Sequence, residues 1–272
     1  MTIFQAIILG IVQGLTEFLP VSSSGHLVIV PEIFGLPTPG IGFDVLVHLA
    51  TLIIVVGYFS RDIFNIICSI VAPKRMSKQE VKYWRRIFVW LVIGSIPAGL
   101  AGVLLGSSFE DMFSKPLIVG CFLILTSALL VGSDFALGRV ARHPVNFGEM
   151  KATDALIVGC FQALAIAPGL SRSGTTIAGG VFLGFDRPTA ARFSFLLSIP
   201  TILGAFVLKI GDISEAFSGG HGMAHVLGAI VAGLSGLFAI SFLMRYVKQH
   251  KMWVFALYTF LVGLLVIVLS LA

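Results

Sequence analysis

The chain has 272 residues, of which 57% are hydrophobic and only 11% charged, with a mean hydropathy of +1.02. Those fractions exclude an ordinary soluble domain and leave room for several membrane spans of about 20 residues each. The formal net charge of +5 does not point to nucleic acid, because the basic residues fall between apolar runs without interleaved aromatics, the pattern of topology determinants.

Residues 3 to 18 read as a helix that Pro20 ends. The opening MTIFQAIILG has neither the basic run nor the small-residue cleavage site of a signal peptide, so this helix is expected to be retained. The polar SSSGH follows, then a second short apolar run to about Phe34. Two runs too short to span, joined by a polar turn, predict a re-entrant hairpin. A Pro/Gly-rich connection, GLPTPGIG, leads to a span from about Phe43 to Phe59. The most polar loop, Ser60 to Arg86, precedes spans near Ile87 to Leu105 and Leu117 to Asp134, and a loop from Phe135 to Asp154 closes the first half.

The second half repeats this plan. With Ala6 aligned on Ala155, no gap is needed as far as Pro39 and Pro188. Gly10 then meets Gly159, Gln13 meets Gln162, Ser22 meets Ser171, Ser24 meets Ser173, Gly25 meets Gly174 and Gly35 meets Gly184, and after a one-residue shift Thr51 meets Thr201. Agreement at one offset reads as an internal duplication. A second hairpin is expected over about Leu156 to Phe185, with spans near Phe193 to Ile210, Val226 to Tyr246 and Met252 to Leu271. Three crossings separate equivalent points, so the second repeat is expected to be inverted. The expected fold is one all-α integral membrane domain, 1–272, with about six transmembrane helices and two re-entrant hairpins, from repeats of about 1–134 and 154–272.

Charge sets the orientation. One side collects Arg61, Lys74, Arg75, Lys78, Lys82, Arg85 and Arg86, then Arg139, Arg142 and Lys151, then Arg187 and Arg192, then Arg245, Lys248 and Lys251; the other keeps Lys115 and Lys209. The positive-inside rule assigns the crowded side to the cytoplasm and both termini to the exterior, so the hairpins dip in from opposite faces and their polar tips meet. Cys68, Cys121 and Cys160 stand singly in apolar segments and read as small buried hydrophobes.

Two stretches carry groups that hydrocarbon tolerates only when paired, since an unpaired charge there costs about 3 kcal/mol or more: EFLPVSSSGH, Glu17 to His26, and PGLSRSGTT, Pro168 to Thr176. Gln13 and Glu17, four apart, share a helix face beside the serine turn. Ser22, Ser23, Ser24 and Gly25 precede the second short helix as N-cap candidates, where free N–H groups and the helix dipole are ready for phosphate. His26 can serve as a general base or a nucleophile, with Ser23 able to face the same pocket. Arg172, flanked by Ser171 and Ser173, needs an anion: Glu17, a bidentate phosphate, or each in turn. Gly169 and Gly174 allow close backbone approach there. Asp44 and His48, and His221 and His225, are also four apart, but neither pair makes a zinc site; the first is as well explained by an interfacial cap.

QGLTEFLPVSSSGH, Gln13 to His26, and PGLSRSGTT together resemble the undecaprenyl-pyrophosphate phosphatase family, integral membrane enzymes associated with bacitracin resistance, whose pattern is (E/Q)xxxE, a serine-rich turn with His, and PGxSRSxxT. Position 13 carries Gln where the pattern also allows Glu, one carboxylate fewer for a metal. The resemblance implies hydrolysis of the terminal phosphate of a C55 polyprenyl pyrophosphate in the bacterial cytoplasmic membrane, at a site open to the exterior, with the lipid tail between helices. It implies Ser23 as nucleophile with His26 as its base or the alternative nucleophile, and Arg172 as phosphate clamp. Ser22, Ser24, Gly25, Ser171, Ser173, Gly174 and Thr176 would bind phosphate. Glu17 and Gln13 would orient the base or hold Mg²⁺ or Ca²⁺. The partners implied are the polyprenyl pyrophosphate and membrane lipids; a homodimer is left open. A carrier of polyprenyl phosphate is the rival reading, because inverted repeats and broken helices build alternating-access machines.

Overall fold

A computed structural model describes residues 1–35, 40–140, 147–212, 217 and 222–271. The first hairpin is α1 (Ile3–Phe18) and α2 (Ser23–Phe34). A capping box between Thr2 and Gln5 starts α1, and α2 stops at Gly35, which adopts the left-handed conformation that favours glycine. Next come α3 (Ile41–Tyr58), α4 (Ser60–Val71), α5 (Lys78–Phe113) and α6 (Pro116–Val140). The second half holds α7 (Ala152–Leu164), α8 (Arg172–Phe182), α9 (Arg187–Leu208), α10 (Gly222–Tyr246) and α11 (Trp253–Leu271). Among the described residues six helices, α3, α5, α6, α9, α10 and α11, are long and apolar enough to cross a membrane. That is the number expected, in an all-helical fold.

Helices of the two halves interlock. α1 lies along α10, α7 along α5, and α6 along α11. Each crossing is made at facing glycines, Gly10 with Gly228, Gly159 with Gly94, and Gly120 with Gly263, where an added Cβ would run into the partner's backbone. In lipid, where hydrophobicity does not drive helices together, such close backbone approach is a main source of association. The core lies around α8, enclosed by α6, α7 and α9: every residue from Ser173 to Val181 is buried, with Leu130, Phe193 and Leu197 packed in the same cluster.

Three expectations need correction. Ser60 to Arg86 is not a loop: α4, a short 3₁₀ turn at Pro73–Arg75 and the first turns of α5 fill it, with Ser77 and Glu80 forming the capping box that starts α5. Its polar residues lie on a short helix and a helix start rather than in irregular chain. Arg187 and Arg192 are not loop residues either; they lie on α9, where Arg187 pairs with Asp134 and Arg192 with Asp62. Cys121 and Cys160 are exposed on the outer surface, and Cys68 is half-buried. Arg142, Pro39 and His221 fall outside the described residues, as does the side chain of Arg139.

Candidate active site

The turn between α1 and α2 is held open by a single strained residue. Ser22 is the one non-glycine residue with positive φ among those described, at 71°, a conformation that costs about 1–3 kcal/mol unless its surroundings hold it. They do so from three directions. Its hydroxyl accepts from the Gly25 N–H at 3.2 Å and lies 3.3 Å from the Ser24 hydroxyl, and its carbonyl accepts from His26 Nδ1 at 2.8 Å. A carbonyl can only accept, so Nδ1 carries the proton in neutral His26. Nε2 is then the acceptor for the Tyr258 hydroxyl at 2.7 Å, 232 residues away on α11. The two rings stack nearly parallel.

The turn before α8 is built the same way. Ser171 caps α8 by accepting from the Gly174 N–H at 3.1 Å and lies 3.2 Å from the Ser173 hydroxyl. Gly169, at φ 95°, lies against the Val119 carbonyl of α6, where no Cβ would fit. Thr126 fixes this turn from behind: its hydroxyl donates to the Gly169 carbonyl and accepts from the Ser171 N–H, both at 3.1 Å. Thr176 is tied to the Arg172 carbonyl and to Ser194 on α9, each at 2.6 Å.

These two turns touch. Ser173 donates to the Leu19 carbonyl at 3.1 Å, and Gly25 faces the Cα of Gly169. Arg172 forms an ion pair with Glu17, 155 residues away in sequence. Glu17 Oε1 receives the guanidinium, while Oε2 accepts from the Ser23 hydroxyl at 2.6 Å and from Gln13 Nε2 at 3.0 Å. His48 of α3 brings its Nε2 to 3.7 Å from the same Oε2, its Nδ1 donating to the Asp44 carbonyl at 2.7 Å. Glu17 forms the floor, with its side chain 2% exposed, whereas the Arg172 side chain is 20% and that of His48 34% exposed; Ser23 and Ser24 are also partly open. α2 and α8 both begin at these turns, and among the described residues the first-turn N–H groups of Ser23, Ser24, Arg172 and Ser173 have no hydrogen-bond partner. The result is a small basin of oriented donors around one carboxylate, one guanidinium and one accessible hydroxyl, suited to a phosphate.

Several expectations change here. Ser23 and His26 are not hydrogen-bonded to each other: Ser23 faces Glu17, and both ring nitrogens of His26 are engaged elsewhere. The Ser171 hydroxyl caps its own turn, that of Ser173 reaches the Leu19 carbonyl of the other turn, and that of Thr176 is held by the Arg172 carbonyl and Ser194. His48, which its spacing to Asp44 left unassigned, reaches Glu17 from another helix, and Tyr258 carried no signal in the sequence at all. His225 packs against Phe43, away from the basin.

A cation held by protein alone does not fit: among the described residues no three His, Cys, Asp or Glu side chains stand together to hold a metal. Gln13 Oε1, however, is buried without a partner beside Glu17. Gln13 and Glu17 would be the side chains to hold Mg²⁺ or Ca²⁺ here.

The profile of the family described as bacitracin resistance protein BacA matches residues 6–265. The chain belongs to the BacA family. Its BacA-family relatives include undecaprenyl-diphosphatases from Gemmatimonas aurantiaca, 42% identical over 98% of this chain and 97% of that protein, and from Pelotomaculum thermopropionicum, 42% identical over 100% and 98%. An undecaprenyl-diphosphatase of Alkaliphilus metalliredigens is 40% identical over the full length of both chains. In this BacA-family chain the two polar stretches are in contact.

Proposed function

We propose that this protein hydrolyses undecaprenyl pyrophosphate to undecaprenyl phosphate and inorganic phosphate. The observation that carries the reading is the Ser23–Glu17–Arg172 contact, in which a hydroxyl, a carboxylate and a guanidinium from two distant turns share one basin.

In the resting site Glu17 holds both Ser23 and Arg172. The diphosphate's terminal phosphate takes over Arg172 and the open N–H groups of the two helix starts, which leaves Glu17 Oε2 on Ser23 as its general base. Ser23 Oγ then attacks the terminal phosphorus and its proton passes to Glu17. The bond from phosphorus to the bridging oxygen breaks, and undecaprenyl phosphate leaves with that oxygen. Water attacks the phosphoserine, the bond to Oγ breaks, Glu17 returns the proton to Oγ, and dihydrogen phosphate departs. Arg172 and the N–H groups neutralise the equatorial oxygens throughout, which is most of what phosphoryl transfer requires. Gln13 and Glu17 would be the residues to hold a divalent cation, which would supply further charge neutralisation. In this scheme His26 positions rather than reacts, holding the strained Ser22 carbonyl with one nitrogen while Tyr258 occupies the other.

The same reading takes α1–α2 and α7–α8 as re-entrant hairpins entering from opposite faces, related by an inverted duplication, with the basin open to the exterior of the bacterial cytoplasmic membrane. It is supported by their lengths, by the burial of α8 along nearly all of its course, and by glycine crossings that exchange helices between the halves. Irregular backbone at membrane depth is tolerated where protein encloses it. A carrier of polyprenyl phosphate would need the clamp but not the Ser23–Glu17 bond, and is not favoured.

The test is phosphate release from a polyprenyl pyrophosphate by the purified protein in detergent. Ser23→Ala and Arg172→Ala should each lower turnover by about 10³-fold or more, given the usual weight of a nucleophile or of charge stabilisation. Release that persists in Ser23→Ala would reject the serine mechanism, and release from none of the prenyl pyrophosphates would reject the enzyme.

A further inference from the structure

Helix α4 mixes polar and apolar groups on its inward side. Beside the core residue Ile66 stand Asp62, buried and paired with Arg192, which also lies 5.3 Å over the Phe147 ring, and Ser69, whose carbonyl accepts from Arg85 Nε at 2.8 Å. Its outward side carries Phe64, Ile67, Ile70 and Val71, all exposed. Such a helix would be unstable facing water, and at 12 residues it is too short to span. Its outward face belongs in the acyl region at a membrane interface.

The chain that follows supplies the headgroup level. Lys74, Arg75, Lys78 and Lys82 are all exposed, and the one acid among them, Glu80, is taken up by the Ser77 cap. Beneath α4 an apolar cleft of about 510 Å³ opens between α4, α5 and α9, lined by Ile63, Phe88, Val92, Ile96 and Pro200 among others. Arg85, Phe88, Val92 and Ile96 follow helical spacing, so Arg85 stands on the same face of α5, one turn beyond the cleft's Phe88 end. Its anchored Nε leaves the outer guanidinium nitrogens available.

We propose that α4, the basic turn after it and this cleft form a binding site for an anionic phospholipid of the leaflet on the protein's basic side, an acyl chain in the cleft and the phosphate among Arg85 and the lysines. Charge complementarity selects this occupant. A soluble acidic protein would leave Phe64 and Ile67 in water, and a second copy of this chain would bring the same basic cluster against itself.

The experiment uses the full-length protein reconstituted with phosphatidylcholine alone or mixed with phosphatidylglycerol, reading lipid retained by native mass spectrometry and the shift in Tm. Phosphatidylglycerol should be retained in preference and should raise Tm. Each of Lys74→Ala, Lys78→Ala and Arg85→Ala should lower that preference by roughly fivefold. Val92→Trp, which fills the cleft from a half-exposed position, should reduce phosphatidylglycerol retention with the basic cluster intact. Lys115→Ala, a basic residue on the far side, should change nothing, and phosphate release in detergent should stay at the wild-type rate in all four substituted binding-site variants, showing that they are folded. Equal retention of the two lipids, equal loss in Lys115→Ala, unchanged retention in Val92→Trp, or α4 covered by a copurified protein or a second copy would each overturn the proposal.

Discussion

Replacing Glu17 by Gln is the change that separates the parts of the mechanism. The amide keeps the side chain's shape and can still accept a hydrogen bond from Ser23, but it cannot take the proton. The 2.6 Å contact between Ser23 and Glu17 is a charge-assisted bond, and loss of a positioned general base removes about 10²–10⁴-fold in turnover. Binding should move the other way. Glu17 competes with phosphate for Arg172, whose side chain is 20% exposed, so the pair lies between a surface ion pair and a fully buried one. Taking its net value as about 1 kcal/mol, release of Arg172 should tighten the affinity for inorganic phosphate by about fivefold. The assay is steady-state phosphate release in detergent with kcat and KM resolved, together with inhibition by inorganic phosphate. Turnover near wild type would refute Glu17 as the base. A joint fall of turnover and phosphate affinity, as expected for Arg172→Ala, would refute the competition between Glu17 and phosphate.

Tyr258→Phe removes the donor to His26 Nε2 but leaves the Nδ1 contact to Ser22, so Tm should fall by the few degrees that a loss of about 1 kcal/mol implies, and activity by less than tenfold. Activity lost as completely as in Ser23→Ala would show that Tyr258 takes part in the chemistry. Gly169→Ala forces an L side chain to φ 95° against the Val119 carbonyl, which should destabilise by about 2 kcal/mol or more and misplace Arg172; a thermal melt and activity matching wild type would show that this turn is less constrained than described. His48→Ala should lower kcat by about tenfold with little change in KM, because its ring approaches Glu17 and not Ser23; unchanged kcat would make it a bystander.

Much of the fold follows from local pattern. Six apolar runs long enough to span became six helices, because hydropathy over such a window reports directly on burial in a bilayer, although α5 (Lys78–Phe113) runs well past the expected Ile87 to Leu105 at both ends. The site was legible as two anomalies. Glu17 and Arg172 stand out since each is too costly to leave unpaired in an apolar chain, and the Ser22 and Ser171 caps follow from residue types preferred at helix starts. Reading α4 as loop has the opposite cause. A polar stretch reads as exposed, whereas Asp62 turns inward to Arg192 while Phe64, Ile67, Ile70 and Val71 face outward.

What the residues determine along the chain is therefore which segments leave water and which of their groups cannot stay alone there. Who meets whom was settled by the assembled helices. Ser23 has Glu17 as partner rather than His26, His26 has Tyr258, and His48 arrives from α3, contacts made between turns and helices that local spacing does not connect. The outward placement of Cys121 and Cys160 has the same origin. Where lipid replaces water outside the protein, apolar side chains suit the inner and outer faces of a helix equally. Hydropathy then loses its power to tell the two apart, and close glycine crossings and ion pairs make the choice.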